Sequence, residues 1–477
     1  MCNTWGMNFY KPVLFFVSLF GALFFTYREL NFYTQMVKHI DEKFTKSVQA
    51  TTTIQVDSDV TKSLTKFVFF AKDVDTGERY KVTTPATTDI SFGDCFSVFG
   101  TFGPPEIKKI NPQDETLPLY NFPYRQYLAK DDVYLLLNAK KLVKKLDCSD
   151  LSRYEKLEVF FMKQKEKLTK IFLMRYEQPY AGLAAGVLVA GKGLLDKDSL
   201  DMFKRTSLSH TVVLSGSNVS IILVCIKLFV DFLFFWKKEK GWIIKLTQKI
   251  IILAVVWLFM LLVGGGAPIY RAVAGAYCGM ILFQEKTSQV YALTVTILIL
   301  TTISPFQTLY DPSFHLTCCA TYGLILFSKP IDMYMKFLFL RTIPNWLREI
   351  ISVTLATQVF VFPYIMFMTS SFSSVFLVSN ILVLPLLPIV MLFGFMTLCA
   401  DLLGIQVLVS LSVYVNNLFL HAIFYIVRIL ADVPYGYIVV TKTTSLIVLV
   451  VYSLLLSSVV NLSLRGSCKS SFNNTPV

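Results

Sequence analysis

The run Leu208-Ser-His-Thr-Val-Val-Leu-Ser-Gly-Ser-Asn-Val219 opens an apolar segment that continues to Trp236. A Ser-Gly-Ser-Asn break is a poor start for a simple anchor helix. Gly weakens a helix, and Ser and Asn compete for its backbone hydrogen bonds. Inside a bilayer, backbone freed this way persists only where protein or a polar cavity surrounds it. The break therefore predicts a chain that moves or processes something within the membrane.

Composition agrees. Apolar residues fill 54% of the 477 positions and mean hydropathy is +0.56, which fits a polytopic membrane protein rather than a soluble one. An apolar stretch from Pro12 to Thr26 precedes a polar block from Arg28 to Tyr176, and the rest is mostly apolar runs. The first stretch has one basic flank, Lys11, and no small-residue cleavage site, so it reads as an uncleaved anchor. The expected domains are an anchor at 1–28, an all-β domain at 29–148, an amphipathic linker helix at 149–177, a membrane domain at 178–465 and a short tail at 466–477.

Apolar runs place further spans near 209–236, 245–264, 267–284, 289–304, 312–327, 346–368, 375–400, 405–430 and 443–461, about ten with the anchor. Net charge is +13; Arg28–Glu177 carries 24 basic and 21 acidic residues, and Gln178 onward carries 20 and 11. Much of the excess sits in membrane loops, where it sets orientation. The connectors with Lys237, Lys238, Lys240, Lys245 and Lys249, and with Lys329, Lys336, Arg341 and Arg348, should be cytoplasmic. The connectors 264–267, 304–311 and 369–374 lack Lys and Arg and should face outward. Counting back puts both termini in the cytoplasm and the all-β domain outside, with His210 near the outer face. Pro179–Ala190 is too short to span and is punctuated by Gly182, Gly186 and Gly191, so it reads as re-entrant or interfacial.

An outside location permits a disulfide between Cys95 and Cys148, with two buried thiols as the alternative. Cys225, Cys278, Cys318, Cys319 and Cys399 lie in apolar segments and read as packing residues.

In the polar block, β-rich runs at Thr51–Val56, Lys66–Lys72, Arg79–Thr84, Asp94–Phe102 and Val133–Ala139 predict five strands, with Asp75-Thr-Gly77 as a hairpin turn. Five short strands with one long connection suit a small OB-like barrel. Such barrels often hold single strands between aromatic and basic side chains, here Phe67, Phe69, Lys72, Arg79, Tyr80, Lys81, Phe99, Lys108 and Lys109. The bland alternative is that the aromatics fill the barrel core. Leu151–Tyr176 predicts a charged amphipathic helix on the membrane surface, with Leu157, Phe160, Phe161, Leu168, Ile171 and Phe172 as its apolar positions.

Ionisable residues within apolar segments mark function. Arg271 follows a helix-breaking turn in Gly264-Gly-Gly-Ala-Pro-Ile-Tyr-Arg271 and could hold a phosphate through a bidentate contact; snorkelling or pairing with Asp311 are the alternatives. His315 and His210 are each more often hydrogen-bonded packing residues. Asp311-Pro312 reads as a helix N-cap with Pro in the first turn.

Together these segments resemble one family. Phe203-Lys-Arg-Thr-Ser-Leu-Ser-His-Thr-Val-Val-Leu-Ser-Gly-Ser-Asn-Val219 resembles the signature of ComEC-type competence proteins, and Ala267-Pro-Ile-Tyr-Arg-Ala272 resembles their Pro-x-x-Arg-Ala element. Asp311-Pro-Ser-Phe-His-Leu-Thr-Cys-Cys-Ala-Thr-Tyr-Gly-Leu324 is similar to their Phe-Gln-Leu-Ser element, with His315 for the usual Gln. Asn380-Ile-Leu-Val-Leu-Pro385 followed by Pro388 resembles a further element. Gly93-Asp94, Phe99-Gly100 and Tyr124-Arg-Gln-Tyr-Leu128 are similar to the family's outer domain. Where the family reads Ile-Ser-Gly-Leu-His, this chain has Leu-Ser-Gly-Ser-Asn218, so the role of that His does not carry over.

The resemblance implies an inner-membrane channel that admits single-stranded DNA during natural transformation. Arg271, His210, Ser215, Gly216, Ser217, Asn218, Pro268 and His315 would line its path, and Lys72, Arg79, Lys81, Lys108 and Lys109 would contact DNA on the outer domain. Many relatives carry a C-terminal metallo-β-lactamase-like domain, which this chain is expected to lack. Its four His are scattered, so no metal site and no cofactor is expected. It also has no Walker-type loop. The chain is thus expected not to be an enzyme, with a separate nuclease, a DNA receptor and a cytoplasmic helicase or strand-binding protein as partners besides DNA and lipid, and a homo-oligomer as one option. Two other functions compete. Ser215 with His210 or His315 would make an intramembrane serine hydrolase, which a serine-directed probe would label. A transporter of another polyanion or a small solute would leave the barrel without affinity for DNA.

Overall fold

The computed structural model describes residues 34–35, 38, 48–58, 60–62, 66–85, 90–105, 124–145, 153–189, 194–212, 222, 230–231, 242–263, 273, 297–298, 301–302, 305–337, 344–441 and 443–452.

Apolar side chains at a period of two build the strands. They are Ile54 and Val56 in β1 (Val48–Val56), Phe69 and Ala71 in β3 (Lys66–Asp73), and Tyr80 and Val82 in β4 (Arg79–Pro85). Phe96, Val98 and Phe102 follow in β5 (Cys95–Gly103), and Leu135, Leu137 and Ala139 in β6 (Val133–Lys145). These side chains form one buried core, and a two-residue β2 (Thr61–Lys62) pairs with β3. The order is β1-β5-β6-β4-β3, and β1 pairs again with β3, which closes the sheet into a barrel. Only β4 and β6 run parallel among these pairs. Closure leaves no long edge to aggregate. The β3–β4 turn forms where Asp75-Thr-Gly77 predicts it. Asp73 Oδ1 accepts the N–H groups of Asp75 and Thr76 at 2.9 Å each, and Gly77 takes φ 73°. A short helix, α1 (Tyr124–Ala129), precedes β6.

The remainder is helical: α2 (Arg153–Arg175), α3 (Tyr180–Leu188), α4 (Lys197–Arg205), α5 (Ser209–Val212), α6 (Trp242–Val263), α7 (Pro305–Tyr310), α8 (Pro312–Phe337), α9 (Asn345–Thr369), α10 (Phe376–Val383), α11 (Leu387–Leu402), α12 (Gln406–Ala431) and α13 (Thr443–Tyr452). Among the described residues α6, α9 and α12 are long and apolar enough to cross a membrane, and α10 with α11 makes a fourth if counted as one span. The protein is therefore a helical membrane protein with a small β domain, but ten spans are not seen in the described residues. The expected spans at 12–26, 209–236, 267–284 and 289–304 lie wholly or mostly outside them.

Two expected spans differ in form. The 375–400 span is two helices bent by 41°. Pro385 supplies no N–H at the break, and Pro388 sits in the first turn of α11, where a missing donor costs nothing. The 312–327 span continues to Phe337, past Pro330, because its polar end is paired. Asp332 bonds Lys336 and Arg348 at 2.7 Å each. The α8–α9 crossing is close: a Cβ on Gly323 would collide with the Ala356 carbonyl oxygen.

α3 has nine residues, about 14 Å of rise, too short to cross a hydrocarbon core. Every residue from Ala181 to Val189 is buried, so protein surrounds the helix rather than a lipid interface. Gly182 and Gly186 let it approach backbone directly, since Cβ atoms there would lie 2.7 Å from the Leu194 oxygen and 2.8 Å from the Val212 oxygen. Around α3 the core gathers Phe172, Phe203, Leu208, Val390, Met391, Leu420, Ile423 and Phe424. Two short strands, β7 (Ser371–Ser373) and β8 (Tyr437–Val439), pair antiparallel and join the chain after α9 to the chain after α12.

α2 connects the two parts. The Phe92 N–H donates to Glu166 Oε1 at 3.3 Å, and Val159 packs where a Cβ on Gly93 would sit. At the other end Phe172 and Tyr176 are buried, and Arg175 pairs with Asp401 at 2.6 Å. Leu157 and Phe160, read as apolar-face positions, are 43% and 56% exposed, while Met162 and Lys165 are buried. The face that buries is chosen by the barrel and the helices together, not by the apolar positions of α2 alone.

Candidate functional site

The interior of the helical part is where chemistry-bearing residues converge. The Ser379 hydroxyl on α10 donates to the Thr206 carbonyl at 2.7 Å, and Phe203 packs edge-on against Phe424 of α12. The Asn380–Pro385 element thereby meets the described part of the 203–219 run. α3 holds the next stretch through the close approach of Gly186 to Val212, three residues before Ser215.

A polar cluster lies in the same core. The Tyr176 hydroxyl and Thr397 Oγ1 are 2.8 Å apart, Asn416 Nδ2 donates to the Tyr176 oxygen at 3.0 Å, and Thr397 Oγ1 lies 3.0 Å from Ser412 Oγ. The side-chain oxygens of Asn380 and Asn416 are buried and accept no hydrogen bond from the described residues. A buried acceptor left so costs about 1–3 kcal/mol. A packed apolar bundle gains nothing from such groups, whereas a conduit for a polar guest can use them. Sequence reasoning missed Tyr176, Thr397, Ser412 and Asn416. A partial signal lay in α12, where Ser412 and Asn416 stand four apart on one face, although Ser410, Asn417, His421 and Arg428 also interrupt its apolar sequence.

The other candidates are placed as follows. Arg271, Pro268, Ser215, Gly216, Ser217, Asn218, Lys108, Lys109 and Cys148 lie outside the described residues. His210 is exposed on α5. His315 Nε2 is 2.7 Å from the Thr308 carbonyl and Nδ1 is 2.8 Å from the Tyr364 hydroxyl. A carbonyl only accepts, so Nε2 carries a proton, and the Tyr364 hydroxyl serves Nδ1. With both nitrogens engaged, His315 ties α7, α8 and α9 together and offers no nitrogen to a serine nucleophile. Asp311 caps α8 through Ser313 N–H at 3.0 Å, as its sequence context predicts.

The barrel's basic residues are partly committed to the barrel itself. Arg79 pairs with Asp57, donates to the Asp131 carbonyl at 3.0 Å and lies over the Phe70 ring at 5.8 Å. Burial opposes its charge, yet Asp57, Asp131 and Asp132 outweigh that and raise its pKa. Lys81 donates to the Tyr124 hydroxyl at 2.7 Å. Lys72 is exposed. Phe69 and Tyr80 are core residues, Phe67 packs against the core, and Phe99 is 41% exposed. Cys95 is disulfide-bonded.

The barrel docks on the helices through α1 and α7. Ala129 and Phe306 form a small core flanked by Tyr134 and Tyr310. Lys130 lies 3.8 Å from Asp311 and 4.2 Å from the Tyr127 ring centre. Burial opposes the Lys130 charge, but Asp131, Tyr127 and Asp311 outweigh it and raise its pKa. Asp311 thus meets a cation of the barrel. A contact between Arg271 and Asp311 lies outside the described residues. Among the described residues no group of His, Cys, Asp and Glu is arranged to hold a metal ion.

No curated protein and no solved structure matches this chain. The family model described as Competence protein does match, over residues 187–465. That range covers more than half of the sequence and contains α4 to α13, so the chain belongs to the competence protein family.

Proposed function

We propose that this protein is the plasma-membrane channel that imports single-stranded DNA during natural transformation. The observation that carries the reading is the helical interior: a short buried α3, a bent α10–α11 pair and Asn380 and Asn416 oxygens that accept no bond from the described residues, all within or beside the family region. Broken helices around polar groups at membrane depth are how transport proteins build a path for a polar cargo. Neutral hydroxyls and amides suit a polyanion in transit, because dense fixed positive charge would hold it too tightly to release.

In this reading about ten helices cross the membrane, both termini are cytoplasmic and the barrel is outside. Contacts support that side. Lys130 touches Asp311 at the start of α8, and the His315–Tyr364 bond places that start beside the end of α9 that leads into β7. The connectors 304–311 and 369–374 lack basic residues, as outward loops do. The Cys95 disulfide suits an oxidising exterior, with Cys148 as its partner. The strand order suits an OB-like barrel that meets DNA. Arg271 is assigned to phosphate contact, beside Pro268, His210, His315 and the Ser215-Gly216-Ser217-Asn218 break. The chain is not assigned catalysis, so nuclease and motor act from separate proteins.

The test is passage of a labelled single strand into sealed liposomes that carry the purified chain, with a DNA-binding trap inside. Protected DNA that falls several-fold in Arg271→Ala, with insertion unchanged, supports the channel. Equal protection in protein-free liposomes, or labelling of Ser215 by a serine-directed probe, would count against it.

A further inference from the structure

One face of α2 is exposed and carries no contact that the described residues use to build the fold. Lys156, Phe160, Lys163, Lys167, Lys170 and Met174 follow one another at steps of three or four residues, which sets them in a single stripe. All six are exposed, Phe160 at 56% and Met174 at 80%. From Lys156 to Lys170 the stripe runs about 21 Å. None of the four lysines makes an ion pair among the described residues, and the one acidic side chain described on the helix, Glu166, faces the barrel turn at Phe92. The stripe lies on the segment that joins barrel and helices, held by the Gly93–Val159 contact on one side and by Arg175–Asp401 at its end.

Resting on the channel reading above, we propose that this stripe is the track along which the single strand passes from the barrel to the helical domain. Lysines would neutralise successive phosphates, and Phe160 would stack on a base. A bilayer surface is the other anionic partner, and the pattern disfavours it. Interfacial helices keep apolar and charged residues on opposite faces. Here Lys163 and Lys167 interleave with Phe160 and Met174, so no face can enter hydrocarbon without taking lysines along. A single strand offers phosphates and unstacked bases together, which an interleaved face matches.

The test uses the full chain in nanodiscs of zwitterionic lipid and a fluorescent thymidine oligonucleotide, with binding followed across salt concentrations. The wild type is compared with a variant carrying Lys156→Gln, Lys163→Gln, Lys167→Gln and Lys170→Gln, with the four matching Arg changes, and with Phe160→Ala. The Gln variant should lower the slope of log K against log salt by about 3, at roughly 0.7 per lysine. The Arg variant should restore it. Phe160→Ala should weaken binding about 5- to 150-fold with the slope unchanged. An unchanged affinity and slope in the Gln variant overturns the track, and so does a loss confined to vesicles of anionic lipid. If that variant still passes DNA into liposomes as the wild type does, the track fails while the channel stands. A wild type that neither binds nor passes DNA overturns both.

Discussion

The barrel and the helical domain differ in how far their buried polar groups are matched. In the barrel, Asp73 accepts from Thr52, Asp75 and Thr76, and Arg79 is shared by Asp57 and the Asp131 carbonyl, while Asp57 Oδ1 is the one buried barrel acceptor without a donor among the described residues. In the helical interior, Asn380 and Asn416 keep buried oxygens without donors among the described residues, and a hydroxyl cluster sits in an apolar core. Matched polar groups specify a fold, while unmatched ones cost stability and persist where something else requires them. The comparison moves attention from the barrel's Arg79 and Lys81, which are engaged, to the membrane interior and the open face of α2.

The largest expected effect tests whether the helical domain depends on backbone contact. Gly323→Leu drives a side chain into the Ala356 carbonyl, and overpacking of this kind costs about 3 kcal/mol or more. Folded protein recovered from membranes should collapse. Normal yield would show that α8 and α9 are farther apart than described.

Next, Asp73→Ala should cost the barrel about 2–3 kcal/mol by orphaning the donors it satisfies. Burial raises the Asp73 pKa, but hydrogen bonds from Thr52, Thr76 and Asp75 more than offset that and hold it below 3.8. A depressed carboxyl stabilises the fold above its unfolded value and loses that contribution as pH falls through the folded one. Hydrogen-exchange protection of β3 and β4 in the full chain should therefore fall in the acid range, as pH drops through the depressed Asp73 value, in the wild type and less so in Asp73→Asn. Equal acid responses would break the contrast.

Asn416→Leu sharpens it from the other side. The change removes an orphan acceptor but also the donor to Tyr176, so if the amide serves only the fold the melting temperature should fall by the worth of that bond, with transport per folded protein intact. In the channel reading, uptake per folded protein should drop several-fold as well. The smallest effect belongs to the junction. Lys130→Ala combined with Asp311→Asn, which keeps a capping side chain, should show a coupling of about 1 kcal/mol in a double-mutant cycle. Zero coupling would mean that the barrel is held by the Ala129–Phe306 contact instead.

The barrel was legible because its information is local. A period of two over Phe96–Phe102 or Leu135–Ala139 states both the strand and its buried face, and the Asp75-Thr-Gly77 turn states one connection. Spans such as α6, α9 and α12 were legible for the same reason. The bend at Pro385 was written in the sequence yet overridden by a continuous apolar run. The cluster of Tyr176, Thr397, Ser412 and Asn416 was not legible, since Tyr176 is 240 residues from Asn416 and nothing local announces their contact.

By itself the sequence determined the closed sheet, the helical membrane class and the family. Those follow from apolar periodicity and from motif order, which neighbouring residues carry. Only the tertiary structure decided which polar groups find partners. Arg79 and His315 looked available in sequence and are engaged, whereas Asn416 went unmarked and Asn380 stood out only as part of a family-like element, and both are buried with acceptors that no described residue fills. The physical reason is that hydrogen bonding saturates over a few ångströms in space, and distance along the chain says little about which donor will be there.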